Sequence, residues 1–345
     1  MMPTTYFKQA EGLWFHGAAI SYALGAYAAG LWGILFASSL VGKILATLAL
    51  AHGMVIAAYL VHECGHNTIF RKIEHNARLG RFMSWICGAS YGTFEDIRYK
   101  HFRHHADNDD VVWFDYEKFF REHPRTLAVT RVLEFFYIPA HCLLMHLIMV
   151  FTSFVIPKRR DQRWRNLTVI FIRGGLFLAM LVFAPLAALL YVIAYLILVH
   201  VLRFMDSLQH DYEYHTTLFS GERSEHRGDK EWEQRHTFSV PLSVRMPALN
   251  WLTLNFGYHN AHHANPNAPW YRLPQIHKEL YADDPGMVIP LGVQLKICHR
   301  GRVERILKWD DESSAVPTPR GAEFLQAARA GKVTGGNAAS FLTSF

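Results

Sequence analysis

Residues 44–66 read ILATLALAHGMVIAAYLVHECGH. Between 44 and 61 only His52 interrupts an uncharged apolar run, and the run passes directly into His62 and His66, four residues apart. Such a segment is long and apolar enough to be a membrane helix, and it delivers two candidate metal ligands at its end. The preceding stretch, residues 17–40 (GAAISYALGAYAAGLWGILFASSL), has no charge at all. Joined around Val41-Gly42-Lys43, the two predict a helical hairpin.

A second long block covers 167–205. As one helix it would measure about 58 Å at about 1.5 Å per residue, against roughly 30 Å of hydrocarbon. Pro185 lies in its middle and divides it into helices near 167–184 and 187–205. Residues 132–154 are long enough to cross but carry Pro139, His141 and His146. Parity decides their reading. If the histidine-rich segments share one site they lie on one side of the membrane, which allows two crossings between His66 and the later histidines but not three. Segments 132–154 and 82–91 are therefore expected to be interfacial or re-entrant. The expectation is an all-α integral membrane protein: four transmembrane helices in two hairpins, interfacial helices, and a cytoplasmic helical cap holding the histidines.

Composition agrees. Of 345 residues 51% are hydrophobic, yet the chain carries 35 Lys and Arg, 29 Asp and Glu and 21 His. Apolar and polar blocks alternate, which excludes an ordinary soluble basic domain and makes the net charge of +6 a matter of cytoplasmic loops rather than nucleic-acid binding. The loop between the first two helices offers only Lys43, while the other flanks carry Arg71, Lys72, Arg78, Arg81, Lys158, Arg159, Arg160, Arg163 and Arg165, so the positive-inside rule puts the histidines and both termini in the cytoplasm. The inner membrane of a bacterium is the expected location. Cys64, Cys87, Cys142 and Cys298 show no paired spacing, and disulfides are not expected. The opening MMPTTYFKQAEGLWFHG lacks the pattern of a signal peptide. One domain is expected over 1–312, with a flexible tail over 313–345 rich in Ser, Ala, Gly, Thr and Pro.

The histidines carry the chemistry. His62 and His66 are spaced i, i+4. His101, His104 and His105 are spaced i, i+3, i+4, and His259, His262 and His263 repeat that spacing. On a helix these offsets share one face. Eight imidazoles are more than one zinc needs, and suffice for two ions with open positions left over. His62-Glu63-Cys64-Gly65-His66 also matches the H-E-x-x-H motif of zinc peptidases, in which the Glu is a general base. An intramembrane zinc metalloprotease would leave the other six histidines without a role. Glu63, Asp107, Asp109 and Asp110 flank the clusters and are candidate acceptors for imidazole N–H groups.

HECGH, HFRHH and HNAHH, in this order and separated by apolar hairpins, resemble the three histidine boxes of membrane fatty acid desaturases. The stretch from Phe256-Gly257-Tyr258-His259-Asn260 to Asn265-Pro266 is similar to the third box of bacterial and sphingolipid-type members. The resemblance covers roughly residues 40–280. It implies a non-haem diiron centre ligated by His62, His66, His101, His104, His105, His259, His262 and His263, with Fe2+/Fe3+ ions reacting with O2. It implies a ninth ligand too. The family's acyl-CoA members carry an Asn-Ser-x-x-His element, matched here by Asp206-Ser207-Leu208-Gln209-His210. His210 is that ligand, with His236 as its rival. Asp206 departs from the family's Asn and either holds a metal-bound water or ligates directly. The activity implied is desaturation of a lipid or fatty acyl chain. A hydroxylase, an alkane monooxygenase and a decarboxylase forming terminal alkenes would use the same boxes. No haem-binding His-Pro-Gly-Gly motif or rubredoxin CxxC is present, so electrons are expected from a separate ferredoxin, rubredoxin or cytochrome-type donor.

Overall fold

In the computed structural model, residues 6–212, 215–282, 287–307 and 320–335 are described. The fold is helical, with a two-stranded parallel pairing of β1 (Asp110–Val112) and β2 (His215–Thr217) as its only sheet among those residues. The chain divides into two units, one of residues 1–97 and 146–201, the other of 98–145 and 202–344.

The first unit holds the helices that are long and apolar enough to cross a membrane. α1 (Gly12–Phe36) and α2 (Leu40–Gly65) form the first hairpin; α8 (Arg163–Phe183) and α9 (Pro185–Asp206) form the second. The first turn lies at Ala37-Ser38-Ser39, not at 41–43. The Ser39 hydroxyl caps α2 by accepting from the Gly42 amide at 3.0 Å. Lys43, the charge that suggested a loop, instead donates to the Ile34 carbonyl at 3.1 Å from within the helix. Close approach of α1 and α2 depends on small residues: a Cβ on Gly53 would lie 2.7 Å from the Tyr27 amide nitrogen. In the second hairpin a single residue, Ala184, separates the helices. Pro185 opens α9, where its missing N–H costs nothing, and the rings of Phe177 and Tyr191 meet across the turn at 6.5 Å.

α3 (Ile73–Cys87) buries one stripe, Asn76, Gly80, Met83, Ser84 and Cys87, and ends at Gly88 with φ 89°. Residues 132–154 are not one helix. α6 (Pro124–Phe135) stops, Tyr137 takes a left-handed φ of 60°, and Pro139 precedes α7 (Ala140–Val155). Sixteen residues at about 1.5 Å each give α7 about 24 Å, short of a bilayer core.

The second unit carries α4 (Phe94–Asp107) from Arg98 onward, α5 (Tyr116–Glu122), α6, and, after α9, the short helices α10 (Lys230–Arg235), α11 (His259–Ala264), α12 (Leu273–Tyr281), α13 (Leu291–Arg300) and α14 (Gly321–Arg329). Arg203 donates to Glu134 at 2.6 Å in a fully buried ion pair. Tyr258, Ala261, Ala268 and Leu273 form a small core behind α11. Gly257 is required there, because a Cβ would lie 2.7 Å from the Val240 carbonyl oxygen, which is next to the Val240 amide bonded to Gly257 O.

Of the tail expected over 313–345, residues 320–335 are described; 313–319 and 336–345 lie outside the described residues. α14 buries Phe324, Leu325 and Ala328, and Phe324 stacks on Phe238 at 5.2 Å. The Gly321 amide and the Arg320 guanidinium both bond Asp211. An amphipathic stripe of three apolar residues inside a small-residue tail is too short a signal to stand out from sequence. Phe324→Ala should therefore cost about 3–5 kcal/mol, and deletion of 313–345 at least as much. Thermal unfolding in detergent checks both, and an unchanged melting temperature for Phe324→Ala would contradict the docking.

Candidate metal centre

In the second unit, α4 presents His101, His104 and His105, α11 presents His259, His262 and His263, and the turn after α9 presents His210; all are buried. His104, His210, His259 and His263 converge, each offering one ring nitrogen within 4.8 Å of the others. Their closest Nε2 pairs are His210–His259 at 2.8 Å, His259–His263 at 3.1 Å and His104–His210 at 3.2 Å.

The partners of the opposite nitrogens decide what these contacts are. His104 Nδ1 lies 2.8 Å from the Asp109 carbonyl, which can only accept, so Nδ1 carries the proton and Nε2 a lone pair. His263 Nδ1 lies 2.8 Å from the Glu233 carboxylate, with the same result. The Thr237 hydroxyl donates to the Glu233 carbonyl at 2.7 Å, so at 3.2 Å it accepts from His210 Nδ1. Three lone pairs thus face one point. The His104–His210 contact has no proton to share and is not a hydrogen bond. Only His259, whose Nδ1 has no hydrogen-bond partner among the described residues, can hold its proton on Nε2, and one proton cannot serve three acceptors. A cation resolves the repulsion. Metal–imidazole bonds of about 2.1 Å at right angles put neighbouring nitrogens about 3.0 Å apart, close to the spacings found. Burial first, and then the neighbouring imidazoles, hold His210, His259 and His263 well below the ordinary histidine pKa, so they are neutral, as metal ligands must be.

A second convergence lies beside the first. His105 Nε2 is 3.1 Å from both His101 Nε2 and His262 Nε2, and the His105 and His263 rings are 4.2 Å apart. In the first unit, His62 and His66 end α2 with ring centroids 4.8 Å apart, both buried. Glu63 accepts a 2.6 Å bond from the Thr68 hydroxyl, with His62 Nδ1 at 3.8 Å.

Other expected residues take different places. His236 does not join the quartet: its Nδ1 bonds Asp211 at 2.9 Å and its ring stacks on Trp232. Asp107 pairs with Arg103 at 2.7 Å rather than with an imidazole. Asp109 serves through its carbonyl, while burial beside Asp110 pushes its carboxyl up to about 8. Asp206 is buried near Lys100, whose ammonium is brought down to about 7 by burial, against Asp110 and Asp206.

Glu233 was not foreseen. It is fully buried, orients His263, lies 3.9 Å from His105 Nδ1, and bonds Lys230 at 2.7 Å. Burial pushes its carboxyl up, with Lys230 opposing. It sits among alternating charges, DKEWEQR, where no spacing singles it out. Glu233→Gln should weaken metal affinity by about 10–100-fold. Chelator competition on the purified protein measures this, and an unchanged affinity would deny Glu233 the role.

The family model described as Fatty acid desaturase matches residues 38–293, from the turn of the first hairpin to beyond the last histidine cluster. No curated protein matches the chain.

Proposed function

The chain belongs to the fatty acid desaturase family, an all-α membrane fold, and on that premise we propose that it is an O2-dependent fatty acyl desaturase with two irons bound by histidine. The observation that carries the reading is the set of three imidazole lone pairs aimed at one point. His104, His210, His259 and His263 hold one iron. The second is held by His101, His105 and His262, with His62 and His66 completing it as the three-box pattern implies.

Bound iron supplies the oxidising power, through O2, to break unactivated C–H bonds, which no side chain can do. The protein's own residues do the rest. Asp109 O, Thr237 and Glu233 fix the ring tautomers so that nitrogen lone pairs, not N–H groups, face the centre. Burial keeps His210, His259 and His263 neutral and limits access of water to them. Lys230 balances the buried charge of Glu233. The fatty acyl chain comes from the membrane, and electrons come from a separate ferredoxin, rubredoxin or cytochrome-type protein. The site and both termini are assigned to the cytoplasmic face.

Expression in a host followed by gas chromatography–mass spectrometry of its lipids and headspace tests the reaction. New internal double bonds are expected. Hydroxylated chains, oxidised alkanes or chain-shortened terminal alkenes without internal olefins would transfer the same site to a hydroxylase, monooxygenase or decarboxylase.

A further inference from the structure

The reaction needs electrons delivered to a buried centre, and a continuous stack of rings runs outward from it. His210 and Tyr212 stack with centroids 4.2 Å apart and planes 29° from parallel. Tyr212, fully buried, stacks in turn on Trp232 at 5.4 Å and 29°. Trp232 is partly exposed, and His226 lies flat against it at 4.0 Å and 10°, with its side chain 29% exposed. Trp232 is also joined through the backbone to Glu233, whose carboxylate accepts from His263. Two of the four converging imidazoles are thus reached from one indole.

We propose that Trp232, flanked by His226, is the port at which a small one-electron carrier protein delivers its electrons, and that Tyr212 passes them to His210. Near-parallel aromatic rings in contact conduct an electron better than saturated side chains, because their π orbitals overlap. The proposal rests on the diiron reading above. Each turnover takes two such deliveries: RCH2–CH2R′ + O2 + 2 electrons + 2 H+ gives RCH=CHR′ + 2 H2O. The carrier is oxidised twice by one electron, and Tyr212 and Trp232 are left unchanged. Trp232 and Tyr212 are positioning residues in this sense; neither touches substrate.

The test places a photoreductant at the port. A ruthenium polypyridyl label on Arg235→Cys, in a Cys298→Ser background, sits one helical turn from Trp232 on an exposed side chain. In the iron-loaded protein in lipid nanodiscs, a flash injects one electron, and its arrival is read as loss of ferric absorbance, without turnover. Trp232→Leu should slow that arrival by an order of magnitude or more with iron content unchanged. Trp232→Phe, which keeps a stacked ring, should stay near the parent rate, and Tyr212→Leu should repeat the loss. Equal rates with and without an aromatic ring at 232 would overturn the port, as would no arrival in the parent. A protein that takes up no iron would instead sink the diiron reading, and the port with it.

Discussion

If the centre is diiron as proposed, His210→Ala is expected to lose one of two irons and all turnover. Without His210 the quartet keeps three nitrogens, and the hydroxyl of Thr237, which held its ring, loses its buried partner. Removing a ligand disables the chemistry rather than slowing it, because the remaining residues supply no oxidant. Metal analysis of the purified protein, alongside lipid profiling, reads both effects. His236→Ala is the paired control: that ring is tied to Asp211 and stacked on Trp232, so iron content should be unchanged. Full iron occupancy in His210→Ala, or loss of iron in His236→Ala, would exchange the two assignments.

Replacing His62 by alanine should be equally severe. The diiron reading makes His62 and His66 ligands of the second iron, so His62→Ala should bring the iron content down by half and abolish desaturation. Glu63→Gln separates this reading from a zinc peptidase. A peptidase would lose its general base and with it all activity. Here Glu63 accepts from Thr68, and a glutamine carbonyl can do the same, so iron should be retained. Purified wild-type protein carrying one zinc and no iron would decide for the peptidase.

Helix-scale features were legible because they repeat. Both hairpins announced themselves as long apolar runs with few charges, and the i, i+3, i+4 histidines fall on α4 and α11 as helical spacing requires. Single contacts were not legible. Glu233 reaches His263 from a segment thirty residues earlier, and no periodicity encodes that distance. Asp107 looked like an imidazole acceptor because it follows HFRHH, yet Arg103, four residues back on the same helix face, claims it. The turn of the first hairpin was misplaced because a lysine was taken to need water, when a carbonyl at the helix end satisfies it. The resemblance put His210 ahead of His236 as the ninth ligand; the contacts that set the two rings apart, Thr237 on His210 and Asp211 on His236, were not legible.

The lone pairs gathered at the quartet have a consequence for the life of the protein in the cell. A fold that holds them together without a cation works against electrostatic repulsion, so metallation and folding are thermodynamically linked. Newly made chains in an iron-starved cell should open more often and be cleared by proteases, so that abundance follows iron supply without any transcriptional control. A quantitative immunoblot from a constitutive promoter would show it, and equal levels with and without iron chelation would refute it.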